Sequence, residues 1–224
     1  MFKGKVVAVA LMLLFATSAF AGDVDDCKSN AGVSCEGMQV TVCAAGDFEY
    51  IYAGCGGLTD YIWIQAMDAD SLPIPGIPWT DYWLNACNPL TQLCVCVSPV
   101  VADSLTGANG MTTFSGRIRA GGCALEQGIW WAIQGKPILA KPCDTDKLCI
   151  DLIIKSPDLT GAGGNADCLL NLSDLVPFGT SYNCELGVPP PPLKAYNACC
   201  DYNDDDKCNL SDFAYWGTHY LHKC

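Results

Sequence analysis

Tyr61-Ile62-Trp63-Ile64-Gln65-Ala66-Met67 is dense in β-branched and aromatic side chains, and so is Gly128-Ile129-Trp130-Trp131-Ala132-Ile133. Such side chains fit a pleated, half-buried surface better than a helix, so both stretches predict strands. Leu148-Cys-Ile-Asp-Leu-Ile-Ile154 is a third, and Met38–Cys43, Glu49–Ala53, Trp79–Leu84, Leu93–Val97 and Met111–Ser115 are weaker ones. Turn signals separate them: Pro75-Gly76, Asn109-Gly110, Gly121-Gly122 and Gly135-Lys136-Pro137. Some eight short strands without a long helical pattern predict a mainly β fold, a two-sheet sandwich over residues 22–155.

The chain of 224 residues carries 12 Lys+Arg against 24 Asp+Glu, a net charge of −12. That balance excludes a basic nucleic-acid footprint. Residues 1–21 read as a secretory signal: Lys3 and Lys5, an apolar run from Val6 to Ala16, then Ala19-Phe20-Ala21. The run is too short to span a bilayer, and no later segment approaches that length. The expected location is extracellular or at the cell surface. All sixteen cysteines follow the signal. An even number in an exported chain predicts disulfides and essentially no free thiols. No Cys-x-x-Cys occurs, so thiolate zinc ribbons lack their spacing. Cys94, Cys96, Cys199 and Cys200 are expected to reach different partners rather than pair locally.

After Lys155 the character changes. Pro157, the glycines of 161–164 and the tetraproline Pro189–Pro192 break up the chain, which places a boundary near residue 156 and makes 189–192 a stiff spacer within 156–224. Within that region Asn171-Leu-Ser-Asp-Leu-Val-Pro-Phe-Gly-Thr-Ser-Tyr182 recurs as Asn209-Leu-Ser-Asp-Phe-Ala-Tyr-Trp-Gly-Thr-His-Tyr220, offset by 38 with seven of twelve positions identical. This is an internal duplication. The second copy contains Asp201-Tyr-Asn203-Asp-Asp205-Asp-Lys207-Cys-Asn209-Leu-Ser-Asp212, with oxygen side chains at positions 1, 3, 5, 9 and 12. That is the spacing of an EF-hand loop, in which position 7, here Lys207, lends its backbone carbonyl and position 9, Asn209, acts through water. Ca²⁺ needs six to eight hard oxygen ligands, which one tight loop can wrap around it. Phe213, Trp216 and Tyr220 then follow at helical spacing, as Leu175, Phe178 and Tyr182 do in the first copy. The first loop runs from Asp158 to Asp174, five residues longer, and offers Asp158, Asn165, Asp167 and Asp174 as ligands. Asp206 stands where an EF-hand loop has Gly.

Two resemblances add to this reading. Asp68-Ala-Asp-Ser-Leu-Pro-Ile-Pro-Gly-Ile-Pro and Thr106-Gly-Ala-Asn-Gly-Met-Thr-Thr-Phe resemble the paired hairpin signals of bacterial Ig-like, invasin/intimin-type sandwiches, which serve as spacers or adhesive modules. The duplicated Asp-x-Asn-x-Asp…Asn-Leu-Ser-Asp loop–helix resembles type I dockerins over residues 156–224. That likeness implies Ca²⁺-dependent folding, a cohesin-like or other extracellular protein partner, and a link to polysaccharide degradation. The pairs Cys168/Cys184 and Cys208/Cys224, both sixteen apart, could staple each helix end to its loop; Cys184 with Cys199 or Cys200 is the alternative.

Catalytic signatures are missing. The two histidines, His219 and His222, read as the exposed end of the last helix, with a metal pair as the alternative. With no histidine in 22–155, no Ser-His-Asp or Cys-His site can form inside the β region by itself. Glu36, Glu49 and Glu126 are the only glutamates there, a poor supply for glycoside hydrolysis. The reading is a non-enzymatic protein; the alternative is a carbohydrate-binding or weakly hydrolytic β module carried by the dockerin-like pair. Trp63, Trp79, Trp83, Trp130 and Trp131 are its candidate sugar platform, with sandwich core as their other role.

Overall fold

The computed structural model describes residues 22–46, 49–52, 61–87, 93–96, 102–115, 118–126, 129–138, 149–160 and 166–224. The signal segment 1–21 and Asn165 lie outside them. Among the described residues the architecture is mainly β, with two short α-helices in the C-terminal region.

Three sheets surround one apolar core. Strands Asn30–Val33, Ile62–Gln65 and Met111–Phe114 form an antiparallel sheet with Ile62–Gln65 in its centre. Ile62 and Ile64 face inward while Trp63 and Gln65 are half-buried, the alternation a pleated strand imposes. A second antiparallel sheet orders Lys136–Ile138, Ile129–Ile133 and Tyr82–Ala86. Phe114 and Trp131 meet across these two sheets with ring centroids 5.2 Å apart. The third sheet orders Glu49–Tyr52, Gln39–Val42, Ile153–Lys155 and Cys123–Ala124; its pairing of Gln39–Val42 with Ile153–Lys155 is parallel. Val40, Val42 and Ile154 carry it into the same core.

The segments at 68–78 and 106–114 lie side by side. Thr106 Oγ1 donates to the Ile74 carbonyl and accepts from the Ile77 N–H, both at 2.8 Å, and the Ala66 N–H donates to the Gly110 carbonyl. Gly110 has φ +72°, and a Cβ there would run into the Ala66 carbonyl, so only glycine suits this turn.

Some strands differ from expectation. Pro78 and a 3₁₀ turn over Trp79–Asp81 delay the strand expected from Trp79 until Tyr82. Of the stretch ending at Ile154, Ile150 makes a single bridge to Ile129 and the ladder begins at Ile153. Asn30–Val33 and Lys136–Ile138 escape a reading by side-chain bulk because they are short edge strands. The tryptophans divide: Trp131 is core, Trp63 is half-buried, and Trp79 and Trp83 are 49% and 39% exposed.

The disulfides correct the sequence reading. Cys94–Cys168, Cys96–Cys224 and Cys123–Cys199 join the β region to the C-terminal region, and Cys87–Cys149 closes a loop within the β region. Cys94, Cys96 and Cys199 thus reach distant partners as expected. The pairs Cys168/Cys184 and Cys208/Cys224 do not form, because Cys168 and Cys224 are taken by Cys94 and Cys96. Cys184, Cys200 and Cys208 stand outside disulfides, each at most 2% exposed. Cys184 and Cys208 face one another across a two-stranded ladder. Contact with Cys208, and then burial, push the Cys200 thiol up, so it stays protonated. The expectation of full pairing therefore gives way to a measurable count. Alkylation under native conditions should spare these three cysteines; in denaturant without reductant all three should react. Peptide mapping that finds them oxidised would refute this.

Candidate metal centre

The 38-residue duplication is also a duplication in space. Helix α1 spans Leu175–Ser181 and helix α2 spans Leu210–Thr218. Asn171 Oδ1 accepts the Ser173 N–H at 2.9 Å as Asn209 Oδ1 accepts the Ser211 N–H at 2.8 Å. Asp174 Oδ2 takes the Asn171 N–H and Asp212 Oδ2 the Asn209 N–H, the latter completing a capping box. Each loop also pairs with the strand that follows the other helix. Cys184–Glu185, after α1, pairs with Lys207–Cys208, while Lys223, after α2, bridges Leu169. Asn183 and Leu221, 38 apart, both take φ above +60° where the chain turns out of each helix. Phe178 and Phe213 pack across the helices at 5.9 Å, and Trp216 stacks on Phe213. α2 ends at Thr218, so Tyr220 continues the apolar face from beyond the helix, 5.2 Å from Trp216.

In the second loop, oxygens of Asp201, Asp205 and Asp212 lie within 4.8 Å of one another. Two ligands of one Ca²⁺, each 2.3–2.6 Å from it, can be no more than about 5 Å apart, so one ion can bridge all three. Asp201 and Asp212 are fully buried. Burial holds both carboxyls above the usual range, against the pull of backbone N–H donors and, for Asp201, of the Tyr196 hydroxyl and Lys155. Asp201 accepts from the Asp205 and Asp206 N–H groups and from Tyr196; Asp212 Oδ1 accepts from the Tyr202 N–H at 2.8 Å. Asn203 Nδ2 donates to Asp205, yet Asn203 Oδ1 is buried with no hydrogen-bond partner among the described residues. An orphaned amide oxygen beside three carboxylates is the donor set a hard cation fits. Asn209 uses its oxygen on the helix cap and turns Nδ2 to Asp205; exposed Lys207 lies in the ladder opposite Glu185. Asp204 and Asp206 both adopt left-handed backbone, φ +56° and +63°, which costs a non-glycine residue roughly 1 kcal/mol.

The first loop reaches an equivalent position by a longer path. Asp174 Oδ1 accepts the Leu159 N–H at 2.9 Å, as Asp212 Oδ1 accepts that of Tyr202, which makes Asp158 the counterpart of Asp201. Asp158 is 1% exposed, and neither carboxyl oxygen has a hydrogen-bond partner among the described residues. Burial, then the charges of Asp174 and Asp167, raise its pKa to about 7, against a smaller pull from the nearby Asp167 and Cys168 backbone N–H groups. It rests against Gly121, where any Cβ would collide with the carboxyl group. Asp167 is exposed and accepts the Leu169 N–H.

Lys155, 2% exposed, connects this centre to the sheet. Its Nζ donates to the Asp201 carbonyl at 2.8 Å and to Asp204 at 3.1 Å, and Thr41 Oγ1 donates to the Tyr202 carbonyl at 2.7 Å. Sequence reasoning passed over Lys155, because a lysine closing a strand carries no motif.

No family model matches the chain, and no curated protein does. Among solved structures, the chain is similar to two interface mutants of a type II cohesin–X-dockerin complex from Acetivibrio cellulolyticus. One carries an N-terminal and the other a C-terminal interface mutation; they share 13% and 12% identity with TM-scores of 0.29 and 0.28. Each match covers 87% of this chain and 97% of that one. Overlap at that level decides neither fold nor function. Among the described residues no helix is long and apolar enough to cross a membrane.

Proposed function

We propose that this chain is an exported, non-catalytic calcium-binding protein whose duplicated loop–helix region serves extracellular protein–protein assembly, in a setting of polysaccharide degradation. The observation that carries the calcium reading is the orphaned Asn203 oxygen among the converging carboxylates of Asp201, Asp205 and Asp212. These side chains, with the Lys207 carbonyl and Asn209 through water, would hold the ion. Asp158, Asp167 and Asp174, with Asn165, would form the second site. Bound Ca²⁺ would add to the single positive charge that Lys155 brings to the buried acids. Leu172 and Leu210, related by the duplication, are 62% and 66% exposed, Leu172 three residues before α1 and Leu210 at the first position of α2. Paired exposed leucines suit a protein partner, cohesin-like or otherwise, that reads both copies. The exposed Trp79 and Trp83 favour a second reading, a sugar-binding β region.

Purified full-length protein, stripped with chelator and titrated with Ca²⁺ by calorimetry, should bind at least one ion with a rise in melting temperature. Unchanged melting and no heat of binding would refute the calcium reading. Soluble polysaccharide that quenches tryptophan fluorescence equally with and without Ca²⁺ would favour the second.

A further inference from the structure

The fold brings Cys43, which sequence alone left unrelated, to His219 and His222, the pair that sequence offered as an alternative metal site. Cys43 directly follows the strand Gln39–Val42 and bridges Arg119. His219 is the C-cap of α2 and His222 follows one turn later, its N–H donating to the His219 carbonyl. Cys43 and His219 are 2% and 6% exposed, and His222 is half-buried. The end of the last helix is therefore not the solvent-facing surface expected for these histidines.

Their ligand atoms converge. His219 Nδ1 and His222 Nδ1 are 3.2 Å apart, and Cys43 Sγ is 3.4 Å from His222 Nδ1. One ligand atom from each of the three residues lies within 4.8 Å of the other two. Around a tetrahedral ion with metal–nitrogen bonds of about 2.0 Å and metal–sulfur bonds of about 2.3 Å, ligand atoms sit about 3.3 Å (nitrogen to nitrogen) and about 3.5 Å (nitrogen to sulfur) apart. The observed spacings are close to those values. The Ala45 N–H points to Cys43 Sγ at 3.4 Å, a contact that favours the thiolate form. The backbone around the site is held. The Leu170 N–H donates to the His222 carbonyl, the Gly46 N–H to the Cys43 carbonyl, and Cys224 is tied to Cys96 two residues beyond His222.

We propose that Cys43, His219 and His222 form a thiolate–bis-imidazole site for a late first-row transition-metal ion of the Zn²⁺ class, with a fourth position left to solvent or another ligand. One sulfur and two nitrogens are borderline-soft donors that select such ions over Ca²⁺. The site is separate from the acidic loops and does not rest on the calcium reading. Bound there, the ion would fasten the C-terminal segment to the Gln39–Val42 strand.

Co²⁺ is a suitable probe because thiolate ligation gives it sulfur-to-metal charge-transfer absorption. Metal-free full-length protein in excess Ca²⁺ should bind one equivalent of Co²⁺ with that absorption, and Zn²⁺ should displace it. Cys43→Ser should abolish the absorption. His222→Gln, at a half-buried position that tolerates the change, should weaken binding by about tenfold or more while leaving the circular dichroism unchanged. Three outcomes would each overturn the proposal: no thiolate-ligated Co²⁺ in the wild-type chain, absorption that survives Cys43→Ser but vanishes in Cys208→Ser, or peptide mapping that finds Cys43 in a disulfide.

Discussion

Replacing Asp201 and Asp212 together by Ala should abolish tight calcium binding and unwind α2, the largest single loss expected in this protein. Both carboxylates are fully buried and both organise backbone: Asp201 takes the Asp205 and Asp206 N–H groups, and Asp212 takes those of Tyr202 and Asn209. Losing the capping box costs about 1 kcal/mol, and each buried N–H left without a partner costs roughly 1–3 kcal/mol. The double variant should therefore be several kcal/mol less stable even in chelator, and calcium should no longer raise its melting point. Asp201→Asn removes the charge but keeps one of the two acceptor oxygens, so it partly separates the two effects: calcium affinity falls fully, while stability in chelator falls by less than in the double variant. Asp174→Ala should also destabilise, since Asp174 holds the N–H groups of Leu159, Thr160 and Asn171, but it should cost less calcium affinity. Calorimetric titration ranks the two loops. A larger affinity loss in Asp174→Ala than in the double variant would reverse the ranking.

Asp158→Asn should stabilise the calcium-free protein at neutral and higher pH and leave it unchanged near pH 4. The carboxyl is buried without a close hydrogen bond among the described residues, and its pKa is raised from 3.8 to about 7. Between about pH 4 and 7 the unfolded chain has released this proton while the folded chain retains it. The folded state binds more protons there, so its stability falls as pH rises through that window and levels off above it. A displacement of this size corresponds to at most about 4 kcal/mol. Asn imitates the protonated form and should remove most of that slope. Chemical denaturation in chelator from pH 4 to 8 measures it. Added Ca²⁺ should reverse the order of wild type and variant if Asp158 ligates the ion; identical slopes in both proteins would show that the buried charge does not govern the pH response.

The parts of this molecule that were legible in sequence are those governed by local geometry. The strands at Ile62–Gln65 and Ile129–Ile133 follow from runs of branched and aromatic side chains, which need only their own pleat and one buried face. The loop from Asp201 to Asp212 and the 38-residue repeat are equally local, since ligand spacing within twelve residues sets which oxygens can meet. Even the left-handed backbone at Asp206 was foreseeable from the loop position it occupies.

What sequence by itself determined was therefore the mainly β class, the duplicated loop–helix units and the identity of the acidic loop. Tertiary structure alone decided that Cys94 and Cys96 reach Cys168 and Cys224, that Asp158 takes the place of Asp201 across a five-residue insertion, that Lys155 anchors the second loop, and that Cys43 meets His222 across 179 positions. The reason is physical. A contact between distant residues depends on closing a long loop, whose entropic cost grows so slowly with length that spacing scarcely discriminates among partners. The choice falls to the packing of the sheets, and the short signals around a lone cysteine or lysine do not encode it.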